Sequence, residues 1–385
     1  MSFNRVGWWL GDALLLIALA TYILVGVPLA VFHGDEGMQV YATIDYFEGI
    51  VDGDLGSLTT SPPYPIDSRA HLRIINGNAQ RFIAGAVLHA RGHNPGDLPL
   101  EPGWNWGLSY ADNVDGGWLP KNSVLYASRY TSAAFFALSL IPIYGLGRLL
   151  GGRLVAYSAL IFYAFTPPLL LNARRAMMEG TMLFFGLLTV WIGFEIIRRR
   201  QSGQIIWIWL AALALSGGLA LASKHTGAVF LVVTWLVLGI DVLLRREQWL
   251  GRLSVLVLTG VGALVVFIGF SPALWSNPPA RLADLARLRS ELLTIQVSIE
   301  DGAPMAFTQR AAWVVIQPLN APPQYFERLD WGTEQDIAQQ VEAYESSRLA
   351  GLPTWVGLRI LLGILCVLGI FGLRALPVSY SIGVL

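Results

Sequence analysis

Residues 8–32 read WWLGDALLLIALATYILVGVPLAVF, and His33-Gly34-Asp35-Glu36-Gly37 follows at once. The run is 25 residues long and carries one charge, Asp12. A helix needs about 20 apolar residues to cross a bilayer. The run is too long for a removed signal peptide and lacks a small-residue cleavage site, so it reads as a retained anchor. Two adjacent carboxylates then stand at the membrane surface. If a helix continues through them they cannot point the same way, so one is free to face a cavity while the other meets backbone or a cation. A carboxylate at the lip of a membrane can take a proton from a substrate hydroxyl. Acids also commonly mark the end of a span and face water, and on these two residues alone that plainer reading is the better one.

The remaining chain decides the class. Of 385 residues 54% are hydrophobic and 14% charged, the composition of an integral membrane protein. Basic and acidic residues balance at 26 each, which argues against nucleic acid as a partner. The single cysteine, Cys366, lies in an apolar run and excludes an intramolecular disulfide or a cysteine metal site.

Seven further apolar runs follow the first: Tyr126–Leu150, Leu154–Leu171, Met177–Ile197, Ile205–Ala222, Thr226–Leu244, Leu253–Leu274 and Thr354–Leu373. If each crosses once, Arg148 and Arg153, Arg198 to Arg200, Arg245, Arg246 and Arg252, and Arg374 all fall on one side. By the positive-inside rule that side is the cytoplasm, with both termini in it. The expected fold is an all-α polytopic membrane protein with about eight transmembrane helices. The expected units are residues 1–32, the first span; 33–122, a first extracytoplasmic loop; 123–275, spans two to seven; 276–353, a second extracytoplasmic loop; and 354–385, the eighth span with a short C-terminal end.

Both long loops are acidic, with 11 Asp/Glu against 5 Lys/Arg in His33–Asn122 and 10 against 6 in Ser276–Pro353, so the outer face gathers the charge. The first contains a plausible amphipathic helix from Ser68 to about Ala90, then a stretch with Trp104, Trp106 and Trp118. The second opens with Arg281–Ile299, where Leu282, Leu285, Leu288 and Leu292 recur at the spacing of a surface helix.

Three groups share that outer face with Asp35 and Glu36. Arg174-Arg175 stand where the positive-inside rule depletes arginine; their planar forks suit phosphate oxygens, and Glu179 is spaced to orient Arg175, although in isolation an interfacial ion pair with arginine snorkelling outward is the better reading. Lys224 and His225 lie in the turn between spans five and six, where lysine can serve as a point charge for a phosphate or, equally, simply snorkel to the surface. His71, Arg73 and Asn76 in the first loop can bind sugar hydroxyls or phosphate, or simply form the polar face of a surface helix. The loop tryptophans can stack on a sugar, though such residues more often form an aromatic belt at the headgroups. His89 and His93 are four apart, but Gly92 and Pro95 argue against the shared helix face a metal would need.

In order along the chain these features resemble the polyprenyl-phosphate-dependent glycosyltransferases of the GT-C class, the protein O-mannosyltransferases and lipid A aminoarabinose transferases. The similar parts are Asp35-Glu36 after the first span and Tyr126–Glu179 with its basic turn Gly147-Arg148-Leu-Leu-Gly-Gly-Arg153. Ala222-Ser-Lys-His-Thr-Gly227 and Ser271-Pro-Ala-Leu-Trp275 complete them. The family's His-Pro-Pro segment is absent as such; Pro62-Pro63 and His71 are loosely placed to replace it.

The resemblance implies an inverting transfer of a hexosyl or pentosyl group from a polyprenyl-phosphate sugar to a hydroxyl on a protein, glycan or lipid. Transfer would occur on the extracytoplasmic face of a cell membrane, expected to be a bacterial cytoplasmic membrane. It implies the first acid, Asp35, as general base and Glu36 in support. Arg174, Arg175, Lys224 and His225 would surround the donor phosphate, with Glu179, His71 and Arg73 supporting and no obligatory metal or other cofactor. Gly34, which frees the backbone before Asp35, and the shorter Asp side chain are consistent with that choice. The rivals are a transporter or lipid flippase, which needs polar residues along a path through the bilayer, and a non-catalytic sugar-lipid-binding subunit. Asp12, Glu195 and Asp241 all fall near cytoplasmic ends, which disfavours the first.

Overall fold

The structure is a computed structural model and describes residues 3–204, 206–244, 249–299, 306–312, 321–326 and 334–352. Among these residues every regular element is helical, and the fold is an all-α, multi-span one. Five helical stretches are long and apolar enough to cross a membrane: Trp9–Leu29, Asn122–Phe165, Glu179–Gln201, His225–Leu244 and Trp249–Gly269; Trp207–Ser223 is a shorter apolar helix. The eighth expected run, Thr354–Leu373, lies outside the described residues.

The first run forms helix α1, Phe3–Val25, and ends in a 3-10 turn, Val27–Leu29, whose Pro28 cannot extend the ladder. Trp9, Leu10, Leu14 and Ile17 are exposed while Leu19 and Ile23 are buried, so one face of α1 packs inward and the rest meets lipid. The next two expected spans are built from α5, Asn122–Leu138, together with the first part of α6, Leu140–Phe165, and from the second part of α6; they follow the first long segment, whose helices include α2 (Gly34–Tyr41), α3 (Arg69–Ile75) and α4 (Ala79–Ala90). Helix α6 is not continuous. Gly151 and Gly152 leave helical geometry, Gly152 at φ 78°, a conformation that favours glycine. Gly147 lies against Ala156, so the chain reverses there as the basic turn suggests. Helices α7 (Pro167–Arg174), α8 (Glu179–Gln201), α9 (Trp207–Ser223), α10 (Ala228–Leu244) and α11 (Trp249–Gly269) complete the bundle. In α11, Val255, Thr259, Ala263 and Phe267 are buried at four-residue spacing, and Val257, Leu258, Val261 and Val265 are exposed. The exposed side is as apolar as the buried one, which marks a helix bathed in lipid.

At the short-turn end of the bundle the acids of the spans are all paired. Asp12 meets Arg153 and Tyr157, Glu195 meets Arg198 and Arg199, and Asp241 meets Arg252. The opposite end carries the long segments. The amphipathic stretch expected from Ser68 to Ala90 is two helices, α3 and α4, broken at Asn76-Gly77-Asn78. The break has a steric cause: the Gly77 Cα rests on the Ser223 carbonyl at the end of α9, where a Cβ has no room. The surface helix of the second long segment forms as expected, as α12, Pro278–Ile299; α13, Gln335–Ser346, follows it.

One buried ion cluster anchors α3 and α4. Asp45 accepts from Arg73 Nε (2.9 Å) and Nη2 (2.7 Å) and from Arg81 Nη1 (2.5 Å). Glu48 takes Arg69 (2.5 Å) and Arg73 (2.9 Å). Asp45 is 4% exposed and Arg81 1%, so removing one partner leaves an unscreened charge. Burial alone would raise the Asp45 carboxyl; the guanidiniums of Arg81 and Arg73 outweigh it and hold Asp45 below its ordinary value.

Two outcomes follow. Asp45→Asn should lower unfolding free energy by about 3–5 kcal/mol, read by thermal unfolding in detergent. Because the folded pKa lies below the unfolded one, that stabilisation is fully present above about pH 4 and is lost as the pH falls through the folded value. The acid-dependent loss should therefore be smaller in the variant. In a Cys366→Ser background, a cysteine at exposed Asp115 should react with an impermeant thiol reagent outside intact cells, and one at exposed Ser202 should not. The reverse labelling would invert the topology.

Candidate active site

The acid pair opens α2, and its sequence explains why a helix starts there. His33 is extended (φ −133°, ψ 136°) and caps the helix: its Nδ1 accepts from Asp35 N (3.3 Å), and Glu36 Oε2 accepts from His33 N (3.2 Å). Two carboxylates in the first turn also face the positive end of the helix dipole. Gly34 is helical rather than strained; Trp104 and Trp106 lie directly against its Cα, leaving no room for a side chain. Trp106 Nε1 donates to Met38 Sδ (3.3 Å), one turn further along the same helix.

The pair splits as adjacent helical residues must. Glu36 is fully buried and all its acceptor positions are used. Arg129 grips it in a fork, Nε to Oε1 and Nη2 to Oε2, both 2.7 Å. Ala176 N donates to Oε1 at 2.7 Å, in addition to His33 N on Oε2. Arg129 Nη1 spends its remaining reach on the Ala30 carbonyl (2.8 Å). A carboxylate so held cannot serve as a base without dismantling its surroundings. The Asp35 side chain, by contrast, is 52% exposed, with His33 Nδ1 3.9 Å from Oδ2. Arg129 is the residue that reading the sequence misses. Its signal was there: a lone arginine near the start of an apolar run is costly unless it meets an acid.

Arg174 and Arg175 are placed otherwise than expected. Both are fully buried. Arg174 donates to the Ile23 and Tyr22 carbonyls (2.9 and 2.7 Å), which belong to the last turn of α1 and lack helical donors, and to Leu349 O and Tyr344 Oη. Arg175 donates to Val31 O (3.0 Å), Asn172 Oδ1 (3.1 Å), Gln324 O (2.9 Å) and Tyr325 O (2.9 Å). Neither guanidinium is presented to a ligand; they tie the end of α1 to the second long segment. Glu179 pairs with Lys224 rather than Arg175, and both side chains are partly exposed. Beside them His225 lies edge-on to Phe267 (5.9 Å between centroids).

His71 is buried, with its Nδ1 accepting from Asp67 N (3.3 Å); burial holds its pKa below the ordinary value, favouring the neutral ring. Arg73 belongs to the Asp45 cluster, and Asn76 to the break between α3 and α4. The structure thus places Lys224, His225, Glu179 and Arg73 at the loop end of the bundle. Glu36 holds the chain at Ala176 and Lys224 holds it at Glu179, three residues on. The Ala176 and Glu179 backbones are therefore no more than about 11 Å apart.

Residues 105–271 match the family model of the dolichyl-phosphate-mannose-protein mannosyltransferases, in line with the resemblance of the chain to that branch of the GT-C class. The matched stretch contains Arg129, Glu179, Lys224 and His225 and leaves out Asp35 and Glu36. No curated protein matches the chain. Among solved structures the Saccharomyces cerevisiae protein O-mannosyltransferase Pmt1-Pmt2 complex bound to the sugar donor is a distant likeness, at 17% identity and a TM-score of 0.43. The likeness covers 72% of this chain and spans 34% of that one.

The buried pair gives a direct expectation. Arg129→Met leaves Glu36 ionised without its counter-charge, and unfolding should become easier by about 3–5 kcal/mol. Arg129→Met combined with Glu36→Met should recover much of that loss. A double variant no more stable than the single one would show that the pair is not coupled as described.

Proposed function

We propose that the chain is a membrane glycosyltransferase that moves a sugar from a polyprenyl-phosphate carrier to an acceptor hydroxyl on the extracytoplasmic face, with inversion at the anomeric carbon. The observation that carries this reading is the division of the acid pair. Glu36 is consumed by Arg129, Ala176 N and His33 N, and the adjacent Asp35 carboxylate is half exposed at the end of a membrane bundle. The match of residues 105–271 to a mannosyltransferase family supports the reaction class and makes mannose the first sugar to test.

In the proposed step Asp35 takes the acceptor hydroxyl proton as that oxygen attacks the anomeric carbon. The bond from the anomeric carbon to the phosphate oxygen breaks, its electron pair leaves with the polyprenyl phosphate, and the proton stays on Asp35. The leaving phosphate gains one negative charge, and a fixed cation in a partly dry site stabilises that change more than the ground state. Lys224, oriented by Glu179, is a partly exposed cation of the matched stretch suited to this role; Arg174 and Arg175 act instead as internal ties. No step requires a metal. A transporter needs acids facing a path through the bundle, whereas Asp12, Glu195 and Asp241 are each neutralised by arginine at the short-turn end.

Asp35→Asn should lower single-turnover transfer from a polyprenyl-phosphate mannose by about 10²–10⁴ at saturating donor, with donor binding unchanged. Glu36→Gln should act mainly through stability. Normal turnover in Asp35→Asn sinks the mechanism.

A further inference from the structure

Ala30, Val31, Phe32 and His33 link the 3-10 turn after α1 to the start of α2 and form neither helix nor strand. All four are buried. A buried stretch without regular structure must find partners for its backbone elsewhere, and here side chains supply them. The Ala30 carbonyl takes Arg129, the Val31 carbonyl takes Arg175, and the His33 amide meets Glu36. The Phe32 amide donates to Gln340 Oε1 (3.0 Å), 308 residues further along the chain. The peptide group between Val31 and Phe32 is therefore held at both ends, its oxygen by Arg175 Nε (3.0 Å) and its nitrogen by Gln340. Both holds involve the second long segment, because Arg175 itself donates to Gln324 O and Tyr325 O.

Gln340 stands in the apolar stripe of α13. Ile337, Val341 and Tyr344 surround it at helical spacing and pack into or against the cluster of Ala30, Val31, Phe32, Trp104 and Tyr110. The other face of α13, with Gln335, Asp336, Gln339, Glu342 and Glu345, is exposed. A glutamine in a packed stripe loses hydration, and a hydrogen bond offsets that cost. The Phe32 N–H is a donor only, so the atom facing it must be the amide oxygen. The stretch it holds leads straight into the acid pair. Asp35 N donates to His33 Nδ1, and α2 is wedged at Gly34 by Trp104 and Trp106 and at Gly37 by the Gly103 carbonyl. The direction in which Phe32 and His33 enter α2 thus sets where the half-exposed Asp35 carboxylate stands.

We propose that Gln340 is a positioning residue for Asp35, and that the second long segment completes the geometry of the base rather than merely covering it. The part assigned to Asp35 rests on the glycosyltransferase reading; the hold on Phe32 does not. Gln340 acts through the Val31–Phe32 peptide group and the His33 cap. Without its acceptor the Phe32 amide stays buried and unpaired, a cost the chain relieves by turning that peptide group toward another acceptor. Such a turn moves the His33 cap, and Asp35 with it. A displacement of about 1 Å at a reacting group costs about a hundredfold in rate.

Gln340→Met keeps the length of the side chain and removes the acceptor, Gln340→Glu keeps an acceptor at the same reach, and Gln339→Met on the exposed face is the control. Each full chain is studied in phosphatidylcholine nanodiscs at a temperature where thermal unfolding shows it folded. In Gln340→Met, hydrogen–deuterium exchange at the Phe32 amide should quicken about three- to tenfold, the range of one hydrogen bond. Single-turnover transfer from polyprenyl-phosphate mannose at saturating donor should slow about ten- to a hundredfold, with donor and acceptor binding unchanged. Gln340→Glu should recover most of the rate, and Gln339→Met should match the unsubstituted chain. Unchanged Phe32 exchange in Gln340→Met would overturn the hold. Normal turnover despite faster exchange would reduce Gln340 to a packing contact and overturn the positioning role. A loss in Gln340→Glu as large as in Gln340→Met, or one that follows weaker donor binding, would overturn that role too. Should Gln340→Met not fold, Gln340→Asn, whose amide is drawn back by one methylene, is read in the same way with a smaller expected loss. If Asp35→Asn transfers normally, the proposed reaction fails and with it the role for Asp35, while faster Phe32 exchange in Gln340→Met still establishes the hold.

Discussion

The site depends on one buried ion pair. Glu36 and Arg129 lie on α2 and α5, 93 residues apart, and neither is accessible to water. Burying two charges is worthwhile only when every lone pair and every donor is met. Here the fork of Arg129 closes on Glu36, its remaining nitrogen takes the Ala30 carbonyl, and Glu36 also collects the Ala176 and His33 amides. Four pieces of chain are thereby fixed to one point: the end of the first span, the start of α2, the second span and the residues before α8. The neighbouring Asp35 inherits a rigid backbone and a half-exposed side chain.

The other buried arginines work in the same manner toward backbone instead of acids. A helix that ends inside protein leaves its last carbonyls without donors. Arg174 supplies them for α1, and Arg175 supplies Val31 beyond the 3-10 turn. Five planar donors on one side chain suit this task better than the point charge of lysine. That also explains how two arginines are accommodated at this end of the bundle: they sit inside protein, not at the headgroups.

What could be read in advance divides along these lines. Hydropathy located the apolar helices, because lipid demands length and apolarity wherever a helix crosses. The reversal near Gly151-Gly152 and the surface helix from Pro278 were legible because their signals are local. The two-helix form of Ser68–Ala90 was not, because the break at Gly77 is imposed by the Ser223 carbonyl, far away in sequence. For the same reason the residues that could carry chemistry were recognisable by type while their partners were not. Arg174 and Arg175 have the right side chains for phosphate, and only the fold reveals that their donors are spent on carbonyls. Glu36 and Asp35 look equivalent as neighbours, and only Arg129 tells them apart.

The cap on α1 also bears on how the chain is built. The Tyr22 and Ile23 carbonyls receive their donors from a residue more than 150 positions later, and the same guanidinium reaches Leu349 at a separation of 175. A chain that enters the membrane from its N-terminus must therefore hold its first helix with an unfinished end until the fourth span is about to begin. The arginine that finishes it is itself incompletely satisfied until the second long segment has arrived. Contacts of this length order assembly from both ends of the chain, and the first span becomes a finished structural element only when synthesis has passed the far side of the second loop.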